Sequence, residues 1–175
     1  MGHHPGSGDE AETELLRVTE APRPCAYLAG KTASLEYRFI ASATARTCEG
    51  LVARGWRRFG IRFFRPACRA CLECRGIRVV TERFHPSKSQ RRCLKRNAAI
   101  TTALHRPGVS REHLRIYNAY HADMNRRRGW PFHPIDAREY IESLVMGAGP
   151  FGHEVRYFEG SRMVGGSGEI GRAHV

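Results

Sequence analysis

Three cysteines at a fixed spacing constrain this 175-residue chain more than any other feature. Cys68, Cys71 and Cys74 form a C-x₂-C-x₂-C run, a spacing that lets three thiolates approach one metal ion. A closed zinc or iron–sulfur site needs a fourth ligand, and Cys25 lies in the other loop-like segment that contains a cysteine. The sequence therefore predicts a site made of these four thiols.

The residues leave the occupant of that site open. Zinc, an iron–sulfur cluster, and unliganded thiols or a disulfide all fit the same spacing. Cys48 and Cys93 are interpreted instead as small, half-buried apolar residues. Because the chain has no secretory signal and no apolar run long enough for a membrane span, we expect a soluble, cytoplasmic protein with no membrane partner.

The positive charge is concentrated in one stretch. Residues 54–96 contain fourteen Lys and Arg side chains but only two acids, so the formal net charge of +12 arises there. Exposed surfaces normally mix the two signs, whereas this stretch does not. Arginine outnumbers lysine, and guanidinium groups match phosphate geometry. The pattern predicts a polyanionic partner.

The periodicity of the chain predicts a mixed α/β (α+β) fold. Alternating apolar residues predict strands over 34–40, 60–65 and 76–80 and a hairpin over 155–164. Capping residues predict helices from Ser87 or Ser89 toward Ile100, from Ser110, and over 136–146. The first of these helices places Arg91, Arg92, Lys95 and Arg96 on one side.

Both ends of the chain depart from these patterns. Residues 1–20 are acidic and poor in apolar side chains, so we expect a disordered tail. Residues 166–175 continue no pattern, and Glu169 to Val175 is what a common short-read sequencing adapter encodes when it is translated in frame up to a stop codon. We therefore expect residues 166–175 to be a non-native tail.

Several segments together resemble one family, the aminoacyl-tRNA–protein transferases, which include arginyltransferases and bacterial aspartate/glutamate leucyltransferases. The resemblance runs in family order over about residues 24–165. It rests on the segments 25–30, 33–38, 55–60, 64–68, 77–79, 86–92, 117–130 and 157–165, together with Cys71 and Cys74.

That resemblance implies two domains and a reaction. A cysteine-bearing domain, placed here at 21–105, would precede the beginning of an acetyltransferase-like (GNAT-type) domain at 106–165. The activity implied is transfer of Arg or Leu from charged tRNA to the N-terminal Asp or Glu of a protein, which marks that protein for N-degron degradation. Since the tRNA ester is already activated, no covalent enzyme intermediate is required. No nucleotide cofactor is expected.

The resemblance also implies roles for the basic residues. The tRNA contacts are assigned to Arg57, Arg58, Arg62, Arg65, Arg78, Lys88, Arg91, Arg92, Lys95 and Arg96. An Arg fork suits the acceptor carboxylate, and Arg57, Arg58 and Arg65 are candidates for it, although phosphate contact explains them equally well.

The resemblance assigns no catalytic residue. His121, His133 and His153 are interpreted as structural. Because the family's second domain continues beyond the hairpin, we expect an N-terminal fragment that is inactive alone. A non-enzymatic zinc or iron–sulfur nucleic-acid-binding module, or an iron–sulfur redox sensor, remains as an alternative.

Overall fold

The computed structural model describes residues 12–77 and 79–170. It contains two compact units. The first comprises residues 12–74 and Met146–Phe151, and the second comprises the described part of 75–145 together with Gly152–Glu169. No helix in the described ranges is both long and apolar enough to cross a membrane.

The first unit is built on an antiparallel sheet of four strands in the order β1-β4-β6-β5. The strands are β1 (Thr13–Thr19), β4 (Leu35–Ser42), β5 (Arg57–Phe59) and β6 (Arg62–Pro66). A short hairpin of β2 (Arg23–Pro24) and β3 (Thr32–Ala33) precedes β4, and helix α1 (Ala45–Ala53) follows it. The hydroxyl of Thr44 caps α1 by accepting the N–H of Thr47 over 3.0 Å.

A small apolar core joins α1 to the sheet of the first unit. Ile40, Leu51 and Phe63 are at most 1% exposed, and Phe151 joins them from a 3₁₀ turn (Gly149–Phe151) distant in sequence. The approach to this turn requires a glycine. Gly147 has φ +68°, and a Cβ there would lie 2.9 Å from Cγ2 of Ile61.

The second unit combines helices with a three-stranded sheet in the order β7-β8-β9. Its elements are a 3₁₀ turn (Thr81–Arg83), α2 (Lys88–Arg96), β7 (Ile100–His105), α3 (Arg111–Arg128), α4 (Ala137–Tyr140) with a π turn (Ile141–Val145), β8 (Gly152–Glu159) and β9 (Arg162–Ile170). Strand β7 pairs antiparallel with β8, Ile100 opposite Glu159 and His105 opposite Glu154.

Capping chemistry locates the helices of the second unit. Ser87 and Asp136 each form a capping box, with Gln90 and Glu139 respectively. Ser110 caps α3, which ends at Gly129 in the left-handed conformation that glycine tolerates. These caps confirm the predicted helix starts, and the pairing of β8 with β9 around Gly160 confirms the predicted hairpin.

Three predictions about the fold need correction. Residues 13–19 do not belong to a disordered tail, because β1 pairs with the edge of β4 and Arg38 forms ion pairs with Glu12 and Glu14. Described residues 76, 77, 79 and 80 form no strand. Residues 166–170 continue β9, so they do follow a structural pattern, while 1–11 and 171–175 lie outside the described residues. The non-native origin of residues 166–175 stays a prediction.

The compact units divide after Cys74. The domain boundary that the sequence predicts after residue 105 stays a prediction, but residues 75–105 pack with the second unit. The reason is that β7, which the sequence analysis missed, hydrogen-bonds to β8 far along the chain. The predicted two-stranded hairpin is thus part of a sheet of three strands.

Candidate functional site

Cys25 lies in the loop of the β2–β3 hairpin with its sulfur held by the backbone. The N–H of Tyr27 donates to Sγ over 3.5 Å. Hydrogen bonds from the backbone N–H groups of Tyr27 and Leu28 lower the pKa of the Cys25 thiol. A stabilised thiolate is the form that binds metal, so the local chemistry of Cys25 suits a ligand.

The other predicted ligands follow β6. The thiol of Cys68 donates to the carbonyl oxygen of Ser34 over 3.7 Å, Cys71 is partly exposed and Cys74 is exposed. Among the residues described, no three or more Cys, His, Asp or Glu side chains are grouped so that they could hold a metal ion. The structure therefore does not assemble the four thiols, and the four-thiol site stays a prediction.

The arginines of β5 alternate between solvent and interior. Arg57 is exposed, whereas neighbouring Arg58 points its Nη2 at the carbonyl of Met146 over 2.7 Å and lies over the ring of Phe151, 5.6 Å from its centroid. Burial lowers the pKa of Arg58, and its buried Nε has no hydrogen-bond partner among the residues that the structure describes. Arg58 is thus engaged inside the first unit.

Arg65 on β6 is also engaged internally. Its Nε donates to Glu36 over 2.9 Å, and its guanidinium lies 4.8 Å from the centroid of Trp56. Arg17 donates to the other oxygen of Glu36 over 2.7 Å. Of the three arginines predicted for the acceptor carboxylate, Arg57 alone is freely exposed, and the carboxylate that Arg65 holds belongs to its own chain.

Helix α2 presents the most strongly basic surface among the described elements. All nine of its residues are exposed, and none is acidic. The surface contains Lys88, Arg91, Arg92, Lys95 and Arg96. The side chain of Arg91 donates to the carbonyl of Pro86 over 2.5 Å. Arg62 of β6 is exposed as well, whereas Arg78 lies outside the described residues.

The comparisons with known proteins identify the family. A family model described as "Arginine-tRNA-protein transferase, N terminus" matches residues 23–92. An aspartate/glutamate leucyltransferase of Helicobacter hepaticus is 36% identical over 151 residues, which cover 86% of this chain.

The chain belongs to the aminoacyl-tRNA–protein transferase family.

Further relatives in this family carry the same name. Aspartate/glutamate leucyltransferases of Campylobacter jejuni and Halorhodospira halophila are 33% and 36% identical over 140 and 100 residues, covering 80% and 55% of the chain. The chain spans 63% of the length of the Helicobacter relative and 59% of the Campylobacter relative.

One group in this transferase-family chain was missed by the sequence analysis. The hydroxyl of Ser110 lies 2.7 Å from Nδ1 of His113, and Nε2 of His113 lies 2.7 Å from Oε1 of Glu154. Both His113 and Glu154 are buried. The signal in the sequence was His at the third position of a Ser-capped helix, but its partner Glu154 is 41 residues away.

The histidines that the sequence analysis named have ordinary surroundings. His121 packs against Tyr117, with ring centroids 4.2 Å apart, and Tyr117 in turn meets Tyr140 edge to face. His133 is largely exposed, with Glu139 3.8 Å away. The packing of His121 agrees with a structural role, whereas the structural roles of exposed His133 and of His153 stay predictions.

Proposed function

We propose that this chain takes part in the transfer of an aminoacyl group, leucine by preference, from charged tRNA to the N-terminal Asp or Glu of a protein. The observation that supports it is the match over 86% of the chain to a protein named aspartate/glutamate leucyltransferase. A leucine or arginine added in this way would mark the acceptor for N-degron degradation.

The chemistry needs little activation. The acceptor's α-amine attacks the carbonyl of the tRNA ester, and the resulting oxyanion needs hydrogen-bond donors. An α-amine has a pKa of about 7.7–8.0, so a useful fraction is unprotonated near neutral pH. The demands on the protein are therefore positioning and charge stabilisation.

The basic surface of α2 supports tRNA as the donor. Its cations are exposed and no acid on the helix competes for them, so they are available to phosphates. Arg57 and Arg62 of the first unit are exposed as well. We assign these residues to the sugar-phosphate backbone and not to base reading, because shape and phosphate contacts dominate recognition of paired RNA.

A metal at the cysteines remains part of the proposal. Cys25, Cys68, Cys71 and Cys74 would hold zinc or an iron–sulfur cluster, which would fix the loops of the first unit. Visible absorbance of anaerobically purified protein distinguishes the cluster from zinc.

A chimaera tests the activity. The present chain replaces the matched region of the Helicobacter hepaticus relative, and transfer from Leu-tRNA and Arg-tRNA is measured on Asp-, Glu- and Lys-initiated peptides. We expect leucyl transfer to the Asp and Glu peptides only. The 175-residue chain by itself is expected to bind charged tRNA without transferring.

The same assay can overturn the proposal. A chimaera that binds charged tRNA but transfers to no peptide, while the parent relative remains active, would favour a non-enzymatic nucleic-acid-binding module. Transfer from Arg-tRNA alone would reverse the assignment of the donor.

A further inference from the structure

A cleft opens in the second unit beside the start of α3. Its volume is about 470 Å³, within the range of small-ligand sites. Its lining includes Ser110, Glu112, Arg115, Phe158, Arg162 and Met163. The lining thus combines a hydroxyl, a carboxylate, guanidinium groups and an apolar wall.

The hydroxyl of Ser110 is oriented by a buried chain of hydrogen bonds. Arg156 donates to Oε2 of Glu154 over 3.0 Å, and Oε1 of Glu154 lies 2.7 Å from Nε2 of His113. We assign to His113 the tautomer that donates Nε2–H to Glu154, in which Nδ1 accepts the Ser110 hydroxyl over 2.7 Å.

Ser110 therefore offers its oxygen as an acceptor. One lone pair accepts the backbone N–H of His113 over 3.4 Å, which is the helix cap. A serine hydroxyl has two acceptor lone pairs, so the second can accept from a ligand. The carboxylate of Glu112 lies on the same lining. An acceptor oxygen beside a carboxylate suits an ammonium group.

The guanidinium groups of the cleft retain unused donors. Arg115 donates to Glu112 over 2.8 Å and to the carbonyl of Met163 over 3.2 Å, and Arg162 donates to Glu159 over 2.8 Å. A guanidinium has five N–H groups, so both can also bind an incoming carboxylate.

The charges favour a zwitterion over a polyphosphate chain. Each guanidinium that lines the cleft has a glutamate beside it, namely Glu112, Glu154 or Glu159. Such acids repel phosphate but complement an ammonium. Helix α2, by contrast, has no acid.

We propose that this cleft binds the N-terminal residue of the acceptor, with its α-ammonium on Ser110 and Glu112 and its side-chain carboxylate on Arg115 and Arg162. The inference rests on the proposed function for the identity of the ligand. His113 and Glu154 are positioning residues that fix the direction of the Ser110 hydroxyl.

Calorimetric titration of the 175-residue chain with short peptides tests this without tRNA. We expect Asp-initiated peptide to bind, and its N-acetylated and Asn-initiated forms to bind roughly tenfold more weakly or worse, since each loses charged hydrogen bonds. Arg162→Gln should weaken binding roughly tenfold. Arg138→Gln is the matched control, because Arg138 is likewise exposed and paired with one glutamate, Glu142.

Ser110 provides a second readout. Ser110→Ala should reduce the preference for a free α-amine over an N-acetyl group, and Ser110→Thr, which keeps both the hydroxyl and the cap, should restore it. Should Ser110→Ala prove unstable in circular dichroism, the exposed Arg162 variant still decides the question.

The contradicting outcomes are specific. Undetectable binding of the Asp-initiated peptide, or equal binding by wild type and Arg162→Gln, overturns the proposal. If Arg162→Gln instead loses affinity for charged tRNA with no loss for peptide, the cleft holds phosphate. If peptide binding depends on Arg162 but the chimaera transfers no aminoacyl group, the proposed role of the cleft is supported and the proposed transferase activity is contradicted.

Discussion

Arg65 donates a hydrogen bond from Nε to Oε2 of Glu36 over 2.9 Å across the β4–β6 pair. Glu36 is buried near the start of β4, and Arg17 of β1 binds its other oxygen. One carboxylate thereby joins three neighbouring strands. The ring of Trp56 beneath Arg65 further restrains that guanidinium.

We expect Glu36→Gln to lower the free energy of unfolding of the first unit by about 1–3 kcal/mol, because a buried, doubly paired carboxylate is replaced by a neutral amide. Burial opposes ionisation of Glu36, but the hydrogen bonds from Arg17 and Arg65 more than offset it, so the pKa of Glu36 is lowered. Urea unfolding at neutral pH measures the loss.

The lowered pKa of Glu36 also predicts how the stability of the fold depends on pH. A carboxyl whose folded pKa lies below its unfolded value stabilises the fold above the unfolded pKa, about 4.3 for Glu, and loses that contribution as the pH falls through the folded value. The difference in unfolding free energy between wild type and Glu36→Gln should therefore shrink on acidification below about pH 4. A difference that is constant with pH would contradict the ion-pair account.

Neighbouring arginines of β5 should respond differently to truncation. Arg58→Ala removes the contacts with Met146 and Phe151 and should cost about 1–3 kcal/mol of stability, whereas exposed Arg57→Ala should cost at most about 0.5 kcal/mol. Thermal unfolding of the two variants measures both effects.

In binding of charged tRNA we expect the opposite ranking, with exposed Arg57 contributing more than Arg58. Arg57→Ala should reduce the salt slope of binding by about 0.7–0.9, whereas Arg58→Met, which retains packing without charge, should leave it unchanged. A loss of slope in Arg58→Met would show that Arg58 reaches phosphate after all.

The contacts of these arginines could not be predicted from the sequence, whereas the helix starts could. Local chemistry gave the helix starts, because Ser87, Ser110 and Asp136 act within one turn of chain. Partners distant in sequence could not be read locally. The pairing of Arg65 with Glu36 appears only when β4 and β6 are aligned, and that of Arg58 with Phe151 only when the 3₁₀ turn packs on the sheet.

The errors have the same origin. Residues 13–19 look unstructured alone, since their order comes from pairing with β4 and from Arg38. The apolar residues of β7, Ile100, Ala103 and Leu104, do not alternate along the strand, and its partner β8 lies some fifty residues later, so the strand was missed. The family resemblance gave the class of protein, but the Ser110–His113–Glu154 group required three-dimensional structure.

Helix α2 should dominate the electrostatic part of tRNA binding. We expect about five cations in total, drawn from α2, β5 and β6, to contact phosphates. The logarithm of the tRNA association constant should then fall against the logarithm of the salt concentration with a slope of roughly −3.5 to −4.5. Arg92→Glu should weaken binding and flatten that slope. Arg138→Glu on α4 is the matched control, because its guanidinium is exposed but lies beside Glu142. Equal effects of the two reversals would show that the contribution of α2 is not specific.

The cysteines differ enough in environment to be ranked by alkylation. Backbone hydrogen bonds lower the pKa of Cys25, whereas burial raises the pKa of Cys48 to about 11. Since the thiolate is the reactive form, iodoacetamide at pH 8 should modify Cys25 in metal-free protein and leave Cys48 unmodified until urea unfolds the chain. Peptide mapping by mass spectrometry gives the order, and early modification of Cys48 would contradict its burial.

Added zinc then tests the four-thiol site in the same experiment. A metal that binds all four thiolates protects them together, because each sulfur must give up its metal bond before it can be alkylated. We expect zinc to protect Cys25 along with Cys68, Cys71 and Cys74 while exposed Cys93 continues to react. If zinc protects the C-x₂-C-x₂-C run but Cys25 still reacts, the fourth ligand is another group. If the alkylation rates of all four cysteines are unchanged, the proposed metal site is contradicted.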